Sequence, residues 1–107
     1  MTPKRIQRKR TAGYVQPPNT KYMGRKGRVQ SIWANEHKIT PEVSREQAVE
    51  LHKKDLENMK ADSPTGFEKL LDILDGYENL SCFCPLDKPC HVDNWLYFLR
   101  LRKANNA

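Results

Sequence analysis

Three cysteines, a histidine and two aspartates crowd into CFCPLDKPCHVD, residues 82 to 93. Cys82, Cys84, Cys90 and His91 are each a zinc ligand by type, and zinc takes four N or S ligands tetrahedrally. The spacing opposes it. A CxC pair on an extended strand points both thiols to one face, about 7 Å apart by the strand rise, and adjacent Cys90 and His91 on a helix diverge by about 100°. The expectation is therefore no metal and no cofactor. A thiol reading fares better. Cys90 at the first turn of a helix, beside His91, has the surroundings that favour thiolate, and the free N–H groups of a helix N-terminus bind anions. His91, Cys90 and Asp93 are the candidate catalytic group, with His91 the general acid or base by type and Asp93 orienting either His91 or the ligand. The bland alternative makes Cys82 and Cys84 small buried hydrophobes and Asp93 a helix N-terminal charge.

The elements that must position these residues follow from pattern. Leu80 to Cys84 is short, apolar and β-prone, and reads as a buried strand. Pro85 to Pro89 is a loop. Cys90 or His91 opens a last helix carrying Val92, Trp95, Leu96, Phe98 and Leu99 on its apolar stripe. Upstream, Ser63-Pro64 starts a helix with Phe67, Leu70, Leu71 and Leu74 inward, and Asp75-Gly76 closes it with a left-handed glycine cap. Before that, a helix running to about Lys60 begins either at Thr40-Pro41 or at a Ser44–Gln47 capping box. It places Ala48, Val49, Leu51, Leu56 and Met59 largely on one face. Gly13 to Val15 and Thr20 to Met23 are the strand candidates nearer the start, with a turn at Gln16 to Asn19. The order is β-β-α-α-β-α, a small single α/β domain over residues 13 to 107. A strand, a loop and a helix N-terminus in succession is the geometry such folds use for ligands.

Charge is distributed unevenly along the chain. The net charge is +6, yet residues 1 to 34 carry nine basic residues and no acid, and all thirteen acids lie between Glu36 and Asp93. Residues 1 to 12 read as a basic N-terminal arm. Such a segment attracts phosphate, in a nucleotide or in nucleic acid. Arg5, Arg8 and Arg25 are the candidate phosphate contacts, because arginine matches phosphate bidentately. Trp33 is placed to stack a base and Asn35 to read its edge. No apolar run approaches the roughly 20 residues of a membrane span, and the start, MTPKRIQRKR, has no apolar h-region. No membrane role and a cytoplasmic location are expected.

Taken together, PKRIQRKRTAGY, NTKYMGR, WAN and LSCFCPLDKPCHVD resemble a small domain-of-unknown-function family found in phages, bacteria and archaea. Its pattern runs RIQRKR, Y-x-GR, WGNPF and CWCPLDxPCHAD. The likeness spans both ends and about half the chain, in the same order. Carried over position by position, the marked residues are Arg5, Arg8, Gly24, Arg25, Trp33, Asn35, Cys82, Cys84, Cys90, His91 and Asp93. Here WANEH replaces WGNPF, and Phe83 stands where Trp is usual. The resemblance implies no activity. It implies that these elements assemble into one pocket from both ends of the chain. The leading expectation is a pocket for a phosphorylated ligand such as a nucleotide at the last helix N-terminus, in a protein of a kind that phages encode. The alternatives are a non-enzymatic module gripping nucleic acid or a host protein through the basic third, and a structural zinc domain.

Overall fold

The computed structural model describes residues 2–24 and 32–105. Three parallel strands, β1 (Lys4–Gln7), β2 (Thr20–Tyr22) and β3 (Asn79–Cys82), form a sheet in the order β1-β3-β2. Three helices, α1 (Arg45–Asp62), α2 (Pro64–Asp75) and α3 (His91–Asn105), complete the expected β-β-α-α-β-α order. The α/β class and the element sequence hold.

Every residue of β3 is buried, as a central parallel strand requires. Its two edges need partners for their backbone groups, and the first of them comes from the expected arm. Lys4 to Gln7 register against Asn79 to Cys82, and Lys4 N–H and Arg8 N–H extend the ladder to the carbonyls of Glu78 and Cys82. Residues 4–7 are thus a strand rather than arm. The strand expected at Gly13 to Val15 is absent. Gly13 has φ +82°, and Tyr14 N–H bonds back to the Thr11 carbonyl, so this stretch turns.

Local chemistry sets the helix ends. Ser44 and Gln47 form the reciprocal capping box, so α1 begins there and not at Thr40-Pro41. Ser63 ends α1 and precedes Pro64 at the start of α2. Gly76 closes α2 in right-handed geometry (φ −77°, ψ −8°), not the left-handed cap expected, its N–H bonding Ile73 and Leu74 carbonyls. A right-handed last turn lets the chain enter β3 within a few residues. Arg102 of α3 then clamps α2 through Glu68, Asp72 and Asp75.

The core lies where the three helices pack together and α3 lies against the sheet. Trp95 and Phe67 are fully buried with rings stacked at 6.0 Å, and Leu71, Leu74, Leu80 and Leu99 surround them. Trp95 lies on the apolar stripe as expected, and its indole N–H donates to the Trp33 carbonyl at 3.2 Å. Met23 is fully buried beneath α3.

Candidate functional site

Positioning begins with β3. The strand ends at Cys82, and the chain bends at Phe83 and Cys84. The CxC pair therefore does not lie on one extended strand, and the thiols approach to 3.6 Å, the Cys82 S–H donating to the Cys84 sulfur. Cys90 immediately precedes α3, so the helical angle between neighbours does not apply to it. Its sulfur lies 3.6 Å from His91 Nδ1. The ligand atoms of Cys82, Cys90 and His91 all fall within 4.8 Å of one another, and all three residues are buried. The expectation that these side chains fail to converge is overturned by those two departures from ideal geometry.

His91 is held by backbone from β2. The chain continues past Tyr22, Met23 N–H pairs with the Ser81 carbonyl, and the Met23 carbonyl accepts His91 Nε2–H at 2.8 Å. A carbonyl only accepts, so Nε2 carries the proton and Nδ1 presents a lone pair towards Cys90. Burial pushes the His91 pKa down, partly offset by this hydrogen bond. His52 faces it from α1 with ring centroids 5.4 Å apart. The Asn94 amide donates to His52 Nδ1 at 3.0 Å, and burial, then the neighbouring His91, lower the His52 pKa to about 4. Two neutral imidazoles thus stand side by side. Among the thiols, hydrogen bonds from Cys82 and Cys90 lower the Cys84 pKa, with His91 and Arg45 adding to the effect. Cys82 and Cys90 are raised, each first by its hydrogen bonding within the trio.

A cavity of about 300 Å³ opens against this cluster. One wall is Cys82, Cys84, Cys90 and His91. The facing wall includes Arg45 and Ala48 of α1 and the loop residues Asn35, His37 and Lys38. Asn35 is fixed by donating to the Ala48 carbonyl and accepting from His37 N–H. His37 meets Asp55 at 2.7 Å. Gly24 completes the rim, where a Cβ would run into the Tyr22 ring.

The other expected site residues go elsewhere. Arg5, on β1, donates to Asp93 at 3.0 Å and to the carbonyls of Pro85, Leu86 and Lys88. Asp93 also accepts the Cys90 N–H at 3.1 Å, half of a capping box for α3. Arg8 bonds Gln16 and lies 4.9 Å over the Tyr22 ring. Trp33 packs edge-on against Trp95 at 5.2 Å, with Lys21 Nζ over its face. Arg25 lies outside the described residues. Arg5 therefore reaches the start of α3 through Asp93. Cys90, His91 and Asn35 share the cavity, while Arg5, Arg8, Trp33 and Asp93 do not line it.

Three contributors escaped the sequence reading: Lys38, Arg45 and the Met23 carbonyl. Arg45 left a signal, since a cation in the first turn of α1 opposes the helix macrodipole. Lys38 in its loop and a backbone oxygen leave none.

The model of a protein family described as "Domain of unknown function (DUF4326)" matches residues 6–100. The chain belongs to this family. The matched span runs from the middle of β1 into α3 and includes the whole Cys/His cluster. No curated protein and no solved structure matches significantly. No helix among the described residues is long and apolar enough to cross a membrane.

Proposed function

We propose that this DUF4326 domain binds a small phosphorylated ligand, a nucleotide or nucleotide derivative, in the cavity between the β3–α3 junction and the start of α1. The observation that carries the reading is the cavity of about 300 Å³ with Lys38 and Arg45 on its wall. That volume is at the lower end for small-molecule sites, which are largely apolar with a few convergent polar groups. Arg45 offers a bidentate fork to phosphate, Lys38 a point charge, and Asn35, already fixed by two hydrogen bonds, an orienting amide. Ala34, Ile39, Ala48, Val49 and Pro89 supply the apolar side. The reading is one of binding and assigns no reaction.

Thermal-shift measurement tests it, with inorganic phosphate, pyrophosphate and a panel of mononucleotides. A ligand at a hundredfold excess over its Kd stabilises by about 2.7 kcal/mol, a shift of several degrees in a domain this size. The expected result is such a shift for at least one compound, lost in Arg45→Ala. No shift in the wild type with any of them would remove the proposal.

A second reading concerns a different face. Arg10 lies 4.1 Å over Phe83, Arg8 lies over Tyr22, and Lys9 is exposed beside them. Interleaved guanidinium and aromatic groups suit single-stranded nucleic acid. A gel shift that weakens steeply with salt and is lost in Arg10→Ala supports this reading. Binding unchanged in that variant counts against it.

A further inference from the structure

We propose that Cys82, Cys84, Cys90 and His91 form a zinc site at the β3–α3 junction, with three thiolates and His91 Nδ1 as ligands. The inference stands independently of the phosphorylated ligand.

Two of the spacings are those of neighbouring ligands on one zinc ion. Bond lengths of about 2.3 Å to sulfur and about 2.0 Å to nitrogen place two sulfurs about 3.8 Å apart and a sulfur and nitrogen about 3.5 Å apart. The Cys82 and Cys84 sulfurs are 3.6 Å apart, and the Cys90 sulfur is 3.6 Å from His91 Nδ1. The two pairs come from the two sides of the Pro85–Pro89 loop, and the 4.8 Å limit on Cys82, Cys90 and His91 ties them together. Cys84 touches Cys82 but lies outside that 4.8 Å group, and being half-buried on a bend it is the ligand that moves to close the site.

Histidine orientation is the second observation. A zinc-bound imidazole donates its other N–H to a carboxylate or carbonyl, which fixes the tautomer. His91 Nε2 does this with the Met23 carbonyl at 2.8 Å, leaving the Nδ1 lone pair aimed into the thiols. Cysteines serving only as small core residues would not need a buried imidazole turned towards them, since burying a polar ring costs free energy. Three soft thiolates with one imidazole select zinc over hard cations such as magnesium or calcium. Each thiol releases its proton on ligation, so binding weakens as pH falls.

The test uses the full chain, expressed with zinc supplied and purified without chelator under reducing conditions. Elemental analysis should give close to one zinc per chain. Titration of the metal-free protein with cobalt should give the intense visible d–d bands of a tetrahedral thiolate site. In Cys84→Ser and in Cys90→Ser alike the thiolate-to-cobalt charge-transfer intensity should fall to that of two thiolates, and in His91→Ala the d–d bands should shift. A zinc ratio near zero together with featureless cobalt spectra in the wild type overturns the proposal, whether or not the variants fold. Cobalt bands that survive unchanged in Cys84→Ser, Cys90→Ser and His91→Ala also overturn it, because the metal would then sit elsewhere.

Discussion

β1 and β2 flank the same strand, and each delivers one contact to the start of α3, but the two contacts have opposite characters. From β1, Arg5 arrives as a full charge and is saturated, with a carboxylate and three carbonyls around one guanidinium. From β2, the Met23 carbonyl arrives as a single acceptor and orients His91 without using up the site. The first side is closed by its own hydrogen bonds. The second keeps soft donors and a cavity. Charge in the N-terminal third is therefore a poor guide to the cavity, because Arg5 is spent on the loop beside it.

The largest expected effect breaks the saturated side. Arg5→Ala strands Asp93 and three loop carbonyls around a side chain only 10% exposed. Loss of a charged partner from such a network costs about 3 kcal/mol, read as a fall in the denaturation midpoint at unchanged m-value. Acid probes the other side. His52 has a folded pKa of about 4 against 6.5 unfolded. The unfolded chain then binds the extra proton, so stability is complete above about pH 6.5 and declines as pH falls towards 4. The decline attributable to His52 is up to about 3 kcal/mol, and denaturation across that window should show a shallower slope in His52→Leu than in the wild type. Arg8→Ala removes one hydrogen bond and two ring contacts at a half-buried position, for about 1 kcal/mol. His37→Ala breaks a largely exposed pair with Asp55, worth about 0.5 kcal/mol or less.

The three helices, β3, the Ser44 capping box, the Pro64 start and the α3 stripe were legible because each rests on local chemistry, whereas the β-β opening matches because Lys4–Gln7 takes the place of the strand expected at Gly13 to Val15. The strand in KRIQ was not. Its Lys and Arg density reads as a solvated arm, and it is a strand because β3 has an edge to fill. The Cys/His convergence was hidden by an ideal-geometry argument that the ends of two elements escape. β3 stops at Cys82, and Cys90 sits before α3 rather than in it. The partner of His91 is a main-chain oxygen, which no side-chain motif reports. Pairing Arg5 with Asp93 needed the parallel register, since 88 residues separate them.

The division between the two sides is tested most directly by one binding measurement made on three proteins. Thermal shift with the phosphorylated panel is compared for the wild type, Arg45→Ala on the cavity wall and Arg8→Ala on the β1 side. The account predicts a ligand-dependent rise in Tm for the wild type, the same rise for Arg8→Ala, and none for Arg45→Ala. A rise that persists in Arg45→Ala and disappears in Arg8→Ala would contradict it.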